Sequence, residues 1–432
     1  MSKKNLQVPR SKIQDRRTKP ELPGGFRDYG PKEARMKQWI LDTARQTFER
    51  FGFEPLETSA VQRTEVLTGG ESNSDRIIYR IRPAQRGEIV GEEGRDENSL
   101  RFDLTVPLAR FIAANPEIPK PFKRYEIGRV WRGERPQAGR YREFTQADID
   151  IVGSQSPDAD AEIVAIIYST LKNIGVGEFI IKINDRRIFN DLPKMAGFPA
   201  GKLWEVLRIA DKKDKIGEDK VERELAAAFD KAVAAKIVEF LAEPLELPEL
   251  KINLDVMGIP PSVYRFDRSM VRGLSYYTGP VFEAVLTDAP EIGSVFGGGR
   301  YDDLMASFTG QKIPAVGASL GVDRLLAALE KRGGAEQKGV TRVLILNLAP
   351  EFYAEYLRMA QELRSAGVNT AFYLGDDRSF QAQLAYAVKK EIPYVIIYGE
   401  EEKKKGTVAI KNLAAREQKE IPKEKLTEYF PL

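Results

Sequence analysis

Residues 122–153, FKRYEIGRVWRGERPQAGRYREFTQADIDIVG, restrict the fold more than any other stretch, because they read as two strands joined by an arginine-loaded loop. In the first half, alternation puts Tyr125, Ile127 and Trp131 on one face and Glu126, Gly128, Val130 and Arg132 on the other. In the second half, Thr145, Ala147, Ile149 and Ile151 alternate with Phe144, Gln146, Asp148 and Asp150. Each strand therefore has an apolar side to bury and a side that presents polar groups. Such a hairpin suits an antiparallel sheet with one face packed on helices and the other turned to a ligand. The joining loop carries Glu134, Arg135, Gln137, Arg140 and Arg142. Arginine forks bind phosphate oxygens in pairs, while carboxylates and amides bind an amine or a ring nitrogen. A site with both would hold a triphosphate beside a small zwitterion. An exposed hairpin with merely solvated arginines is the alternative; it leaves Gln146, Asp148 and Asp150 lined up on one strand face without positive partners.

The same residues carry a resemblance. Arg132-Gly-Glu134, a loop, and then Arg142-Glu-Phe144 resembles motif 2 of the class II aminoacyl-tRNA synthetases, and its wording is similar to that of the histidyl branch. The resemblance extends over nearly the whole chain. It implies an α+β fold: a class II antiparallel sheet flanked by helices, a helical insertion, and a C-terminal α/β anticodon-binding domain.

With 432 residues, two or three domains are expected, and 42% hydrophobic with 30% charged residues is the balance of a soluble globular protein. No run approaches the length of a membrane span. The net charge of +3 is small, so any RNA-binding surface must come from local clustering. The absence of cysteine excludes disulfides, thiolate catalysis and cysteine-ligated metals. Histidine is absent too, which removes the commonest general base and the commonest transition-metal ligand. Catalysis must then proceed by positioned charges and hard-cation chemistry. Members of the resembled family usually carry histidines, including near the motif 2 strand where Thr145 stands here.

Taken in order, residues 1–20 form a basic arm without apolar periodicity, expected to be disordered. Residues 21–330 are expected to be the catalytic domain. Within it, 33–51 carries Met36, Ile40, Ala44 and Phe48 at helical spacing, and Gly52 stops that helix before an extended segment. Helix, glycine and strand resemble class II motif 1, which in the family builds the dimer interface; an ordinary core helix and strand would read the same way. Residues 85–98 are polar and glycine-bearing and read as a loop. Arg101, Asp103 and Thr105 are expected to share a strand face ahead of a helix starting at Leu108. Charge-rich helical runs over about 186–250 predict the insertion, which in the family lies near the tRNA acceptor stem. Residues 331–340 read as a linker. Strands over 342–348, 368–374 and 394–398 alternate with helices over 351–366 and 379–390, predicting over 341–432 a small α/β domain with a parallel core.

Three further stretches resemble family motifs. Arg272-Gly-Leu-Ser-Tyr276-Tyr277 is similar to the first histidine-specific motif, with Ser275 where aspartate is more usual; Phe296-Gly297-Gly298-Gly299-Arg300-Tyr301 is similar to the second. Gly317 to Arg324, a glycine-rich strand entering a helix, resembles class II motif 3. Glycine runs let a backbone approach a ligand closely, so Gly298, Gly299, Arg300 and Tyr301 are expected to form a pocket loop.

What the resemblance implies is ATP-dependent ligation of histidine to its tRNA through histidyl-adenylate, in a cytoplasmic homodimer that contacts both acceptor stem and anticodon. Arg132 and Arg272 would face the reacting carboxylate and α-phosphate, and Arg324 the γ-phosphate. Phe144 would stack on adenine, with Glu134 on the ATP side. Asp103, Thr105 and Gln146 would receive the α-ammonium, and Asp150, Tyr276 and Tyr277 would line the imidazole pocket. Mg²⁺ would be bridged mainly by the ATP phosphates. A synthetase-like regulatory subunit of ATP phosphoribosyltransferase stays open as an alternative, as does a class II synthetase for another amino acid.

Overall fold

A computed structural model describes residues 19–69, 78–81, 98–135, 139–271, 277–333 and 339–430. The chain divides into two compact units between 334 and 335. The basic arm through residue 18, most of the polar stretch 85–98, Gln137, Arg272 and Tyr276 lie outside the described residues.

The first unit is organised by an eight-stranded sheet. Its strands in chain order are β1 (Glu54–Pro55), β2 (Phe122–Trp131), β3 (Glu143–Val152), β4 (Phe179–Asp185), β5 (Tyr264–Phe266), β6 (Pro280–Leu286), β7 (Ser294–Arg300) and β8 (Ala315–Gly321). The spatial order is β1-β2-β3-β8-β7-β6-β4-β5. Only the two edge pairings, β1 with β2 and β4 with β5, are parallel. Strands β2 and β3 form the expected hairpin, with Tyr125 opposite Ile149 and Glu126 opposite Asp148.

One face of this sheet is apolar and covered by helices. Tyr125, Ala147, Ile149, Ile151, Val316, Ala318 and Leu320 share one buried cluster with residues of the helices Pro31–Arg50, Pro157–Ile174 and Val322–Lys331. The helix Pro31–Arg50 buries Met36, Ile40, Ala44 and Phe48, the predicted stripe, and Gly52 ends it at φ 76°, a left-handed conformation that favours glycine. The opposite face holds the polar residues of β2 and β3 and the glycines and serine of β8.

One buried carboxylate ties three segments together. Asp323, second in the helix Val322–Lys331, accepts from the Thr145 backbone N–H at 2.7 Å, accepts from the Tyr29 hydroxyl, and lies 3.5 Å from Lys37 Nζ. Burial, partly offset by Asp323, lowers the Lys37 ammonium from its ordinary value, while burial and the Asp323 bond raise the Tyr29 hydroxyl.

The segment before β2 departs from expectation. The strand there is Asn98–Leu100 and stops short of Arg101, and the helix begins at Thr105 rather than Leu108. Asp103 Oδ1 accepts the Val106 backbone N–H at 3.1 Å, which starts the helix before a strand face can reach Thr105.

The insertion has its own core. Phe189, Leu192, Val206, Leu225, Ile237 and Phe240 pack in a cluster separate from that of the sheet. The helix Pro248–Val256, by contrast, buries Leu250 and Leu254 against the sheet's helices, and the chain returns to the insertion's core at Val271.

In the second unit, Val343–Ile345 pairs in parallel with Thr370–Phe372 and Tyr394–Ile397, as the alternation predicted. Two further strands, Thr407–Asn412 and Glu417–Pro422, extend this sheet antiparallel. The second of them is almost wholly exposed and polar, so it shows no apolar alternation to read. Among the described residues no helix is long and apolar enough to cross a membrane.

Asp323→Ala is expected to destabilise the first unit by roughly 2–4 kcal/mol, because it strips a buried N–H, a hydroxyl and an ammonium of their acceptor. Exposed Asp303→Ala should stay within about 0.5 kcal/mol. Urea midpoints of the two variants check this.

Candidate active site

The polar face of the sheet floors a cleft of about 1200 Å³. Strand register assembles that floor. Asp150 lies opposite Arg124 on one side and Gly317 on the other, and Asp148 lies between Glu126 and Ser319. Gly317 in turn lies opposite Gly299, and Ser319 opposite Gly297.

Two arginines are sunk into this floor. Arg124, fully buried, sends Nη2 to Asp150 Oδ2 at 2.7 Å and to the Leu104 carbonyl at 3.1 Å, and its Nη1 lies 3.5 Å from Glu126. Arg101 donates from Nη1 to Glu126 at 2.7 Å and to the Thr58 carbonyl at 2.7 Å. Glu126 also accepts the Thr58 hydroxyl at 2.8 Å. Glycine makes room for each charged pair: a Cβ at Gly128 would overlap the Arg101 guanidinium, and one at Gly317 would overlap the Asp150 carboxylate. Arg124 is the positive partner that alternation did not supply to Asp148 and Asp150. It lies two residues before Glu126, so the parity of the strand carried the signal.

Among the described residues the floor gathers the buried side chains Asp103, Glu126, Asp148 and Asp150 with those of Arg101 and Arg124. The Asp148 carboxyl is pushed up to about 8 by burial first, with Arg124 opposing and Asp150 and Asp103 adding to it. Asp150 is also raised, chiefly by burial, with Arg124 and the Tyr301 bond opposing. Among the described residues, Asp148 Oδ1 and Gln146 Oε1 have no hydrogen-bond partner, although both are buried in the cleft's floor. Gln146 Nε2 donates to Ser319 Oγ, which fixes the amide with its oxygen free.

The cleft's rim has the opposite sign. Arg132, Arg135, Arg140 and Arg324 line it, with Glu134 and Phe144. Arg132 donates from Nε to the Phe102 carbonyl at 3.0 Å and lies 5.0 Å over the Phe144 ring. Arg324, third in its helix, donates to the Ser294 carbonyl at 2.7 Å. Asp103, Thr105, Gln146, Asp150, Tyr277 and Tyr301 line the same cleft, so most of the described site residues converge.

The stretch Gly298–Arg300 is the end of β7 rather than a loop, although Gly298 and Tyr301 do line the cleft. A Cβ at Gly298 would meet Ala318 Cα at 2.6 Å and one at Gly299 the Pro280 carbonyl at 2.8 Å, so these glycines allow strands to pack. At Gly297 the nearest atom is Ser294 Oγ at 3.8 Å, so that position borders open cleft. Arg300 turns away from the cleft: its guanidinium binds Asp160 at 3.0 Å and the Ser154 carbonyl at 2.8 Å. Tyr301 donates its hydroxyl to Asp150 Oδ1. One oxygen of Asp150 is thus hydrogen-bonded by Tyr301, while Oδ2 is ion-paired with Arg124 without a hydrogen bond of its own. Glu283, on β6 opposite Gly297, also lines the cleft and was not anticipated.

Comparison with known proteins follows this geometry. Residues 25–325 match the family model described as histidyl-tRNA synthetase, and residues 342–431 match an anticodon binding domain. The chain is 40% identical to a histidine–tRNA ligase of Paracoccus denitrificans, over 92% of this chain and 90% of that one. It is 39% identical to that of Wolinella succinogenes, over 93% and 95%. The crystal structure of histidyl-tRNA synthetase from Nostoc sp. PCC 7120 superposes with a TM-score of 0.83 at 30% identity, covering 96% of this chain and 100% of that one.

Because the folded state holds the Asp148 proton far more tightly than an unfolded chain, stability should fall as pH rises from about 4 and level off above about 8. Asp148→Asn is expected to flatten that fall and to be the more stable form at alkaline pH. Urea midpoints at half-unit pH steps check this, and parallel curves for the two proteins would contradict it.

Proposed function

The chain belongs to the histidyl-tRNA synthetase family and joins histidine to tRNA, and we propose that its sheet cleft first forms histidyl-adenylate from histidine and ATP. The histidyl group then passes to the 3′ terminus of the tRNA. The observation that carries this is the division of charge across a single cleft: a floor of buried acids beside an arginine-rich rim. A small cationic group suits the first and a polyphosphate the second.

On the floor, Asp103, Thr105 and the free Gln146 oxygen receive the α-ammonium. Asp148 Oδ1 and Tyr277 face the imidazole, and Asp150 holds the charge balance beneath through Arg124 and Tyr301. A buried oxygen left unpaired disfavours any isostere that lacks a donor, by about 1–3 kcal/mol. This separates histidine from apolar amino acids of similar shape.

At the rim, the substrate carboxylate attacks the α-phosphorus of ATP and pyrophosphate leaves. No side-chain base is needed, because the carboxylate is already the nucleophile, and the absence of histidine is compatible with this step. Arg132, with Arg272, stabilises charge on the transferring phosphoryl group, and Arg324 holds the γ-phosphate. Phe144 offers its ring to the adenine. Mg²⁺, when bound, neutralises phosphate charge; Glu134 and Glu283 in the cleft are oxygen donors of the kind a hard cation takes.

The tRNA partner is read at two places, with the anticodon at the second unit, whose residues 342–431 match an anticodon binding domain. That unit and the rim arginines disfavour the regulatory-subunit alternative. Domain limits are proposed at 21–330 and 341–432, with the insertion over about 186–250. A cytoplasmic homodimer joined through the helix Pro31–Arg50 and β1 is the assembly proposed here, and sedimentation velocity checks it.

Arg132→Ala is expected to reduce histidine-dependent exchange of labelled pyrophosphate into ATP on the order of 10²–10³-fold. Binding of tRNA should change less than about twofold, since one rim arginine is lost from a large contact. Exchange at the wild-type rate would remove Arg132 from the reaction, and exchange supported by other amino acids would remove the floor assignment.

A further inference from the structure

The hydrogen bond between Tyr301 and Asp150 joins two strands that are not neighbours. Tyr301 follows β7 and Asp150 belongs to β3, with β8 lying between them. The tyrosine hydroxyl reaches the carboxylate by crossing β8 at Gly317, the residue opposite both Asp150 and Gly299. Tyr301 itself is held to β8 by one backbone bond, from its N–H to the Ala315 carbonyl at 2.7 Å. We propose that the neighbouring Arg300 is a positioning residue for the histidine pocket: from the opposite side of the sheet it locks the end of β7 to the exit of β3 and so keeps Tyr301 on Asp150. This role rests on the floor being the histidine site, as proposed above.

Arg300 shares its strand face with Phe296, which packs in the helix-covered core, whereas Tyr301 has the parity of the cleft. All three nitrogens of its guanidinium are engaged. Nε donates to Asp160 Oδ1 at 3.1 Å, and Nη2 lies 3.0 Å from the same oxygen, in the first turn of the helix Pro157–Ile174. Nη1 donates to the Ser154 carbonyl at 2.8 Å and Nη2 to that of Ser156 at 3.3 Å, both on the stretch by which the chain leaves β3. On the main chain, the Arg300 carbonyl accepts the Thr278 N–H at 2.8 Å, and the Thr278 hydroxyl accepts the Asp302 N–H at 3.0 Å. The end of β7 is thus fastened on both sides of Tyr301.

The chemistry of these contacts suits arginine alone. Arg300 and Asp160 are both buried, so theirs is not a solvated surface pair. Burial raises the Asp160 carboxyl to about 6, with Arg300 opposing, and the acid is ionised at neutral pH. A planar fork binds one carboxylate and two carbonyls at once, while a lysine ammonium in the same place satisfies the carboxylate and leaves the carbonyls. Loss of the carbonyl contacts frees the exit of β3 from β7, and the bond that spans β8 depends on their separation.

The test uses the full chain carrying Arg300→Lys, Tyr301→Phe, or both, in histidine-dependent exchange of labelled pyrophosphate into ATP. Arg300→Lys should raise the KM for histidine on the order of tenfold, the effect of losing about one buried hydrogen bond, while kcat and the KM for ATP change less than about twofold. The double variant should match Tyr301→Phe within about twofold in the KM for histidine, because both substitutions act through one bond. Urea midpoints of the same proteins supply a readout without substrates: the shift caused by Tyr301→Phe should shrink by about half when Lys replaces Arg300. Additive effects in both cycles, or equal losses for histidine and ATP, would overturn the proposal. Absence of exchange in the wild-type protein would count against adenylate formation itself, and the urea cycle would then decide the role of Arg300, with additive shifts overturning it.

Discussion

The ion pairs of Arg124 hold the floor of the cleft together. A fully buried guanidinium is tolerable only with acids around it, and Asp150 at 2.7 Å and Glu126 at 3.5 Å supply them. The converse holds too, because without Arg124 the acids of β2 and β3 would repel one another in a medium that screens poorly. The strand register depends on the same pairing, since a slip by one residue would turn Arg124, Glu126, Asp148 and Asp150 into the helix-packed face. Gly128 and Gly317 belong to this arrangement, because each vacates the volume that a charged side chain fills.

Asp323 extends the same logic from the floor to the rim. Its helix presents Arg324 to the cleft, and its carboxylate fixes that helix to the first residues of β3 and to Tyr29. The three segments that resemble class II motifs are thus joined by one buried acid. A displacement of the helix would move Arg324 and the start of β3 together, so the rim arginine keeps its distance from the floor. Positioning of this kind is what a mechanism without a side-chain base requires.

Much of this was legible in the sequence wherever periodicity is strong. The hairpin, the helix after residue 30 and the parallel pairings of the second unit each carry a repeated apolar pattern over enough residues to override local ambiguity. The cleft residues of β3 were legible for the same reason. What failed has local causes. Arg101, Asp103 and Thr105 alternate like a strand, but Asp103 binds the Val106 N–H and turns the chain into a helix. The run Gly297–Gly299 has the composition of a ligand loop, yet its second and third members serve strand packing, a distinction that depends on neighbours distant in sequence. Arg300 was grouped with the pocket by adjacency, while Asp160 draws it to the other side. Glu417–Pro422 is an exposed edge strand, and polar edges have no alternation to detect.

Floor and rim differ in more than sign. The floor's charges are almost completely buried, so an interaction there is strong and an unmade one costs about 1–3 kcal/mol. The rim's Arg135 and Arg140 are exposed, so water and salt moderate each contact with phosphate. Selectivity for the amino acid would on the proposed reading come from a rigid surface of buried acids, completed by a ligand bringing its own cation and ring donor. On the proposed reading, affinity for the nucleotide would come from several individually weak, hydrated contacts, which suits a product such as pyrophosphate that must leave. An arrangement with these roles exchanged would hold the triphosphate too tightly and discriminate poorly among amino acids, so the placement of Arg124 beneath the floor rather than at the rim suits the chemistry proposed for the cleft.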